Sequence, residues 1–520
     1  MSPLPAVVLP LLIASMLSAC GGGAGSGGSA PGGTPLPVTS AAPAVTTPAP
    51  VTTPAPARGS VMTPAAVSTI TLADGTSATT VGTAQMKALV ASTLSQLTSV
   101  TSEPRCTVTT YTVRYNTAGP QDTLTQSSAA IMLPGGTDPN CTGARPVMLY
   151  AHGTSLDKTY TMARLTGESR LIAAMFAAQG FIVVAPNYGG YDSSTLSYHP
   201  YLDASLQAAD MIDALRAARS SFGMLGASQS TRLFLAGYSQ GGYVAVATQK
   251  AMQALPTEFS ITAVAGMSGP YALSRFADNV FAGNPGQGIT AFLPLITTAG
   301  QRAGAGIYAA PSDLYENPYA AGIESVLPGT LSSGELVAQG RLPGNALFAA
   351  DSLPQPSGAT VYFGAGNLVR TSYRNAYLAD AAANPCNTNA ATPLACAPQN
   401  ALRKWVVKND LRSFAPVAPL LLCGGKEDPT VPFSNTQDAA AYFKAINSAP
   451  TVVDLDTGDG LNDRWLVERA GFNAAKLAVK ADAVANGKSV SEAMADTYHA
   501  GLVAPFCLLA ARDFFKDRLP

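Results

Sequence analysis

The feature that most constrains this chain is the stretch Leu-Phe-Leu-Ala-Gly-Tyr-Ser-Gln-Gly-Gly at residues 233–242. It predicts an apolar strand that turns sharply into a helix, with Ser239 at the turn in a Gly-x-Ser-x-Gly motif. A serine hydroxyl is a weak nucleophile at neutral pH, and such a turn presents its oxygen to a histidine. Gly237 and Gly241 leave room for the turn, and the helix that follows points its positive end at the site. Ser239 is therefore the candidate nucleophile.

Five further motifs lie at informative places along the chain. They are His-Gly-Thr at 152–154, Gly-Phe-Ile-Val-Val-Ala-Pro-Asn-Tyr-Gly-Gly-Tyr at 180–191, His-Pro-Tyr-Leu at 199–202, Asp-Ala-Leu-Arg-Ala-Ala-Arg at 213–219 and Asp-Pro-Thr-Val-Pro at 428–432. With the serine motif, this succession resembles the α/β-hydrolase superfamily, particularly the secretory lipase group, over roughly residues 111–515. The resemblance implies carboxylic ester hydrolysis by a serine triad without a cofactor, and a cap domain inserted after the sixth core strand.

Two positions depart from the pattern of that group. Asn187 stands where relatives often have aspartate before tyrosine, which leaves the substrate contacts of this loop open. The candidate acid and histidine are separated by roughly 70 residues, farther than in many relatives. The extra length predicts a helical insertion at residues 462–495.

The candidate general base is His499, one of only three histidines in the chain. In the α/β-hydrolase order of nucleophile, acid and histidine, the base follows the nucleophile, and only His499 lies after Ser239. It sits in Asp-Thr-Tyr-His-Ala-Gly before an apolar helix predicted for residues 504–515. We therefore expect His499 on a loop at the ends of the strands.

The candidate acid is Asp428, which follows the apolar stretch Leu-Leu-Leu-Cys-Gly-Gly at residues 420–425. This stretch predicts a buried parallel strand, and the proline after Asp428 favours an extended or turn conformation there. A carboxylate at this place would hold the imidazole in the correct tautomer. Glu427 is the nearest rival, and Asp454 or Asp456 after the next strand remains an alternative.

The predicted oxyanion-hole donors are two backbone N–H groups. One belongs to Gln240, directly after the nucleophile, and the other to Thr154 or its neighbour Gly153, at the end of the His-Gly-Thr strand. His152 is expected to brace this loop, and His199 to be a packing residue before a helix. The histidines form no i, i+4 pair and no cluster with cysteines at zinc spacing, so no metal site is predicted.

Strands that alternate with helices predict the α/β class, with a mostly parallel central sheet, helices on both faces and an inserted cap domain. The predicted strands are 107–115, 127–133, 147–151, 182–185, 233–236, 263–267, 420–423 and 451–455. The long gap between Gly269 and Ala418 lacks this alternation and is too long for a loop in a compact domain. We therefore predict a first core part at 61–271, a cap or lid insertion at 272–415 and a second core part at 416–520.

The amino-terminal residues predict export rather than a folded domain. An apolar stretch, residues 7–17, precedes Leu-Ser-Ala-Cys at 17–20, which is typical of a bacterial lipoprotein signal peptide cut before Cys20. Acylation of Cys20 would tether the protein to a membrane, and plain secretion is the alternative because the first residues contain no lysine or arginine. Residues 21–60, rich in Gly, Pro and Thr, predict a disordered linker with Val-Thr-Thr-Pro-Ala-Pro in tandem.

The cysteine count is consistent with an oxidising compartment of the cell envelope, or with secretion. Without Cys20, six of the seven cysteines remain, an even number. Six cysteines allow fifteen pairings, and we favour Cys106 with Cys141, Cys386 with Cys396, and Cys423 with Cys507. The charged fraction of 12% and the net charge of −1 exclude a typical nucleic-acid-binding protein.

The sequence thus predicts a membrane-tethered or secreted bacterial serine esterase or lipase that acts on small-molecule or lipid-like esters. Ser239, Asp428 and His499 would form the triad, and Gln240 and Thr154 the oxyanion hole. A serine peptidase with the same triad and a non-catalytic surface lipoprotein that retains the fold are the alternatives.

Overall fold

The computed structural model describes residues 57–92, 100–458, 460 and 462–519. Cys20 and nearly all of the predicted linker therefore lie outside the described residues. No helix within these ranges is long and apolar enough to cross a membrane.

The described residues contain strands and helices in alternation after an all-β beginning. The strands are β1 Val61–Val67, β2 Ile70–Thr71, β3 Ser77–Ala78, β4 Thr80–Val81, β5 Thr107–Ala118, β6 Leu124–Gly135, β7 Ala144–Ala151, β8 Ile182–Pro186, β9 Ser228–Tyr238, β10 Ala263–Met267, β11 Leu420–Gly424 and β12 Thr451–Asp454. The helices are α1 Thr83–Ala91, α2 Glu168–Met175, α3 Ala204–Phe222, α4 Gln240–Gln253, α5 Leu273–Phe281, α6 Ile289–Arg302, α7 Ser333–Ala338, α8 Thr371–Ala383, α9 Ala401–Lys408, α10 Ser434–Ala445, α11 Leu466–Ala485, α12 Val490–Thr497 and α13 Ala504–Lys516.

A ten-stranded sheet organises the part of the chain that the structure describes. Its order is β1-β5-β6-β8-β7-β9-β10-β11-β12, with β4 beside β5. From β8 to β12 all neighbours are parallel, whereas β1, β5 and β6 pair antiparallel at the other side. Parallel strands end at the same edge of a sheet, so the segments after β7, β9 and β11 meet there.

The core has two layers, one on each face of the sheet. On β7, Leu149 packs with residues of α3 and α4, while Met148 and Tyr150 pack with residues of α2 and α13. This alternation follows from the two-residue period of a strand. Because both faces are covered there, the inner parallel strands β8, β10 and β11 are buried at every residue.

A long inserted segment, residues 268–419, connects β10 to β11. It contains α5 to α9 and contributes no strand to the central sheet. The sequence places the break in the alternation at nearly the same residues. The segment packs on the main core through apolar side chains such as Phe281, Leu293 and Trp405.

Six cysteines form three disulfide bonds. The pairs are Cys106–Cys141, Cys386–Cys396 and Cys423–Cys507, the pairing favoured from the sequence. The first links the start of β5 to the turn before β7, and the last links β11 to α13. Three disulfide bonds are typical of a protein that works outside the cytoplasm.

Two local features differ from the sequence-based expectation. His499 lies not on a loop but in a π-helical turn, Tyr498–Val503, which joins α12 to α13 without interruption. The expectation was wrong because Gly501 suggests a break, yet a glycine is compatible with the wider turn. Strands β1 to β4 were also missed, since β2 to β4 have two residues each and β1 contains a proline.

Candidate active site

Ser239 occupies a strained turn between β9 and α4. Its φ of 58° and ψ of −124° lie in a region that L-residues rarely adopt. The turn is possible because its glycines have no side chains: a Cβ at Gly237 would collide with the carbonyl of Gly241, and one at Gly241 with the carbonyl of Ala151. The sequence motif is thus explained by close backbone approach.

Ser239, His499 and Asp428 form a continuous chain of hydrogen-bonding contacts. Ser239 Oγ lies 2.9 Å from His499 Nε2, and His499 Nδ1 lies 2.7 Å from Asp428 Oδ2. The side chain of Asp428 is 1% exposed and that of His499 12%. In the sequence His499 is 260 positions from Ser239 and 71 positions from Asp428. The common edge of the parallel sheet brings the three residues together.

The carboxylate of Asp428 is fixed by its own turn. Its Oδ1 accepts hydrogen bonds from the backbone N–H groups of Thr430, at 2.9 Å, and Val431, at 3.0 Å. The other oxygen, Oδ2, is left for His499. Such a carboxylate can hold the imidazole in one orientation and one tautomer.

The rival carboxylates make other contacts. Asp456 pairs with Lys476 at 2.5 Å and accepts the hydroxyl of Tyr498, and Glu427 pairs with Lys476 at 2.9 Å. Asp454 accepts the backbone N–H of Asp456 at 3.0 Å. These groups secure the ends of β11 and β12 around His499, but the contact to the imidazole comes from Asp428.

His499 is further anchored through its backbone. The hydroxyl of Tyr238, the residue before Ser239, donates a hydrogen bond to the His499 carbonyl. The π-helical turn leaves that carbonyl outside a regular α-helical bond pattern, which suits this contact. Tyr238 lies within the serine motif, but nothing in the sequence identifies it as the partner of residue 499.

The two predicted oxyanion donors lie beside Ser239. Gln240 is the first residue of α4, and the N–H groups in the first turn of a helix have no partner within that helix. The N–H of Gly153 is engaged, because it donates to the carboxylate of Glu168. Of the two candidates after β7, this leaves Thr154, whose hydroxyl lies 3.0 Å from the hydroxyl of Tyr201.

His152 and His199 are buried beside the site and contact no part of the triad. His152 Nδ1 lies 2.6 Å from the Gly153 carbonyl and Nε2 lies 3.2 Å from the Asn187 carbonyl. His199 Nε2 lies 2.6 Å from the side-chain nitrogen of Gln240. Burial lowers the pKa of His152 to about 4 and that of His199 to about 3, so both are neutral at physiological pH.

Asn187, the departure noted in the sequence, is also a structural residue. Its side chain donates to the hydroxyls of Ser128 and Thr161 and accepts the N–H of Met162, at 2.8 to 3.1 Å. It is fully buried. The side chain ties neighbouring loops together and does not line the pockets at Ser239.

Two pockets of different polarity flank the serine and the Thr154 loop. One lies between Ser239 and the inserted segment, and its walls are almost entirely apolar. Its apolar lining from α5, α6 and α9 includes Leu273, Phe276, Ala277, Val280, Ile289, Phe292, Leu293, Ile296, Leu402 and Val406. The other is more open and has mixed walls, in which polar side chains such as Ser155 and Ser332 stand beside apolar ones such as Leu331.

Known proteins resemble this chain in sequence and structure. A sequence model described as "Secretory lipase" matches residues 158–281. The rice cell wall degrading esterase LipA from Xanthomonas oryzae is 25% identical, with a TM-score of 0.66, over 89% of this chain and 100% of LipA. A "putative hydrolase" from Legionella pneumophila is 21% identical, with a TM-score of 0.58, over 79% of this chain and 89% of that protein. No curated protein sequence matches.

The protein has the α/β-hydrolase fold. The predicted fold class, a mostly parallel sheet with helices on both faces, is confirmed by the sheet and by the similarity to LipA. The resemblance to the secretory lipases is likewise confirmed, over the matched residues. These similarities support a hydrolase that acts on esters, and the secretory lipase match agrees with the disulfide bonds in indicating an exported protein.

Sequence reasoning missed the contacts that support this α/β-hydrolase site. Glu168, Tyr188 and Tyr238 all touch the backbone of a predicted site residue or its neighbour. Each is distant in sequence from the backbone group that it contacts, and none belongs to a motif from which its hydrogen-bond partner could be predicted. The tyrosine-rich composition of residues 188–201 could have drawn attention to Tyr188, but no local signal marks Glu168 or Tyr238.

Proposed function

We propose that this protein hydrolyses carboxylic esters through an acyl-enzyme formed on Ser239. The observation that carries the proposal is the contact chain from Ser239 Oγ through His499 to Asp428, at the base of an apolar pocket. Each group has the chemistry and the partner that acyl transfer by a serine requires. No cofactor takes part in this scheme.

The acylation step follows from the geometry. Ser239 Oγ attacks the ester carbonyl carbon while His499 Nε2 takes the hydroxyl proton, and Asp428 stabilises the imidazolium. The carbonyl oxygen becomes an oxyanion, which the N–H groups of Gln240 and Thr154 bind. When the carbon–oxygen bond to the alcohol breaks, His499 returns the proton to the leaving alcohol. Water, deprotonated by His499, then cleaves the acyl-enzyme and releases the acid.

The pockets favour an ester with an apolar acyl group. The pocket at Ser239 is walled by α5, α6 and α9, so an acyl chain there would be removed from water at a gain of about 0.8 kcal/mol per methylene. We propose that residues 272–415 form a cap over the site, and that residues 61–271 and 416–520 form the two parts of the core. The second pocket, beside Thr154, has mixed polar and apolar walls and would take the alcohol part of the ester.

The direct test is a panel of p-nitrophenyl esters from acetate to palmitate, run beside aminoacyl p-nitroanilides. Turnover of esters with little or no turnover of anilides is expected. Preferential cleavage of the anilides would instead favour a peptidase. A correctly folded protein that hydrolyses neither would favour a binding role for the fold.

A side chain that fills the apolar pocket should change the preferred chain length. Ala277 lies in α5 and lines the pocket. Ala277→Phe should lower kcat/KM for the palmitate ester by about tenfold or more relative to acetate, because each displaced methylene is worth about 1–3 kcal/mol of discrimination. Asn279→Phe, at an exposed position of the same helix, is the matched control and should leave the ratio unchanged. An unchanged ratio in Ala277→Phe would place the acyl chain elsewhere.

We propose that the mature protein is anchored to the cell envelope through acylated Cys20. The wild-type chain, expressed in a bacterium that processes lipoproteins, should partition into detergent, and Cys20→Ser should move it to the aqueous phase. The activity of the solubilised protein on acetate esters should stay the same, since the site lies far along the chain. Recovery of the wild type in the aqueous phase would favour plain secretion.

A further inference from the structure

We propose that Glu168 is a positioning residue that holds the backbone of Gly153 so that the N–H of Thr154 faces the reacting ester. The inference rests on the proposed ester hydrolysis and adds a residue outside the triad and the oxyanion motifs. Glu168 begins α2 and does not contact Ser239, His499 or Asp428 by any hydrogen bond that the structure shows. Its role would be exerted through the Thr154 loop.

The contact between Glu168 and Gly153 involves both oxygens of the carboxylate. Both carboxylate oxygens of Glu168 lie 3.1 Å from the backbone nitrogen of Gly153. The carboxylate is itself fixed, because the hydroxyl of Tyr150 donates to Oε1 at 2.6 Å. Tyr150 is a fully buried residue of β7, so its hydrogen bond fixes the position of the carboxylate relative to the central sheet.

These contacts fix two successive peptide planes. In the first, the His152 carbonyl accepts the hydroxyl of Tyr188 at 3.0 Å and the Gly153 N–H donates to Glu168. In the second, the Gly153 carbonyl lies 2.6 Å from His152 Nδ1, the closer of that ring's two carbonyl contacts, and we assign the ring proton there. The N–H of Thr154 belongs to this second plane. Because a trans peptide is planar, its N–H points opposite to the fixed carbonyl.

Glycine makes such fixing necessary. With no Cβ, Gly153 can adopt many more backbone conformations than other residues, and each would aim the next N–H differently. A Cβ on Gly153 would stand 3.4 Å from Glu168 Oε2 and 3.7 Å from Ser239 Cβ, which are ordinary van der Waals distances. The loop passes close beside the nucleophile and obtains its rigidity from hydrogen bonds. An oxyanion donor is effective only when it is oriented before the reaction.

The acceptor oxygens of Glu168, more than its charge, carry this role. Burial raises the pKa of Glu168 to about 7, against the opposing effects of the bonds from Tyr150 and Gly153 and the attraction of His499. At neutral pH the carboxyl group is therefore partly protonated, and a protonated carboxyl still offers its carbonyl oxygen to Gly153. A glutamine at this position would offer the same oxygen.

The test compares variants that remove or keep the acceptor. Glu168→Ala and Glu168→Met remove it, and each should lower kcat for p-nitrophenyl acetate by about 10- to 100-fold with KM within about threefold. The loss is expected to be smaller than the 10²- to 10³-fold cost of deleting a donor, since Thr154 keeps its N–H. Glu168→Gln should restore kcat to within about threefold of the wild type.

A second measurement separates oxyanion positioning from general loss of structure. Ser239 Oγ adds to the carbonyl carbon of an alkyl trifluoromethyl ketone while His499 Nε2 takes the hydroxyl proton, and the ketone oxygen becomes an oxyanion in the same hole. The inhibition constant of the ketone should rise in proportion to the fall in kcat/KM across the variants. Glu492→Ala removes the first-turn glutamate of the exposed helix α12 and serves as the matched control, with both values unchanged.

Each outcome bears on the proposal. A folded Glu168→Ala or Glu168→Met protein with wild-type kcat would overturn it, as would an equal loss in Glu168→Gln, which would assign the effect to charge. A rise in KM alone would assign Glu168 to substrate binding. If the wild type itself hydrolyses no ester and is not inhibited by the ketone, the proposed function fails, and that result is distinct from any of these.

Discussion

Ser239→Ala is expected to lower kcat for ester hydrolysis by about a million-fold, the size of loss seen when a protease triad loses its serine. The hydroxyl oxygen that would form the acyl-enzyme is gone, and a water molecule in its place is neither oriented nor bonded to the acyl group. The oxyanion donors remain, so a small residual rate above the uncatalysed reaction is expected.

The fold should survive this change. Alanine keeps the Cβ of serine at a backbone φ of 58°, so the strain of the turn is the same in both proteins. The measurements are kcat on p-nitrophenyl acetate and the thermal unfolding midpoint, which should agree with the wild type within a few degrees. A folded Ser239→Ala protein with turnover comparable to the wild type would refute the nucleophile assignment.

Asp428→Asn is expected to lower kcat by about 10⁴-fold, as the same change does in a serine-protease triad. The backbone N–H groups of Thr430 and Val431 both point at Oδ1, so the amide oxygen of asparagine must take that place. Its NH₂ group then faces His499 Nδ1, which has to become an acceptor. The ring proton moves to Nε2, where it blocks removal of the Ser239 proton.

The matched control is Asp454→Asn. Asp454 ends the neighbouring strand β12 and accepts one backbone N–H through Oδ1, which asparagine also provides. Its kcat should stay within about tenfold of the wild type, because asparagine keeps the same acceptor oxygen and the contact to the imidazole comes from Asp428. A large loss at residue 454 and a small one at 428 would transfer the acid to the end of β12. Thermal unfolding curves of both variants show whether a loss of activity comes from a loss of folding.

The sequence was most informative where function depends on a local pattern. The turn at Ser239 could be predicted because an apolar strand, a serine flanked by glycines and a helix follow one another directly. This order is typical of a sharp strand-to-helix turn. The same holds for the apolar strand before Asp428. With three histidines in the chain, the order of the catalytic groups left one candidate base, His499. Every one of the strands predicted from residue 107 onward also overlaps a strand of the structure.

The contacts that orient these groups could not be predicted. Glu168 meets Gly153 across 15 residues, and Tyr238 meets His499 across 261, and neither distance is fixed by propensity or period. Such contacts depend on how strands and helices pack, and the packing is determined by many residues along the whole chain together, not by any local motif. The π-helical turn at His499 has the same origin, since its residues are compatible with an ordinary helix.

The disulfide bond between Cys423 and Cys507 closes a covalent ring that contains both Asp428 and His499. The acid lies a few residues inside one end of the ring and the base a few residues inside the other. The helices α11 and α12 occupy the part of the ring between them. A protease cut in the turn between those helices would open the ring but would not separate the acid from the base. In an oxidising medium Asp428 and His499 would therefore stay covalently linked after the chain between them is cut.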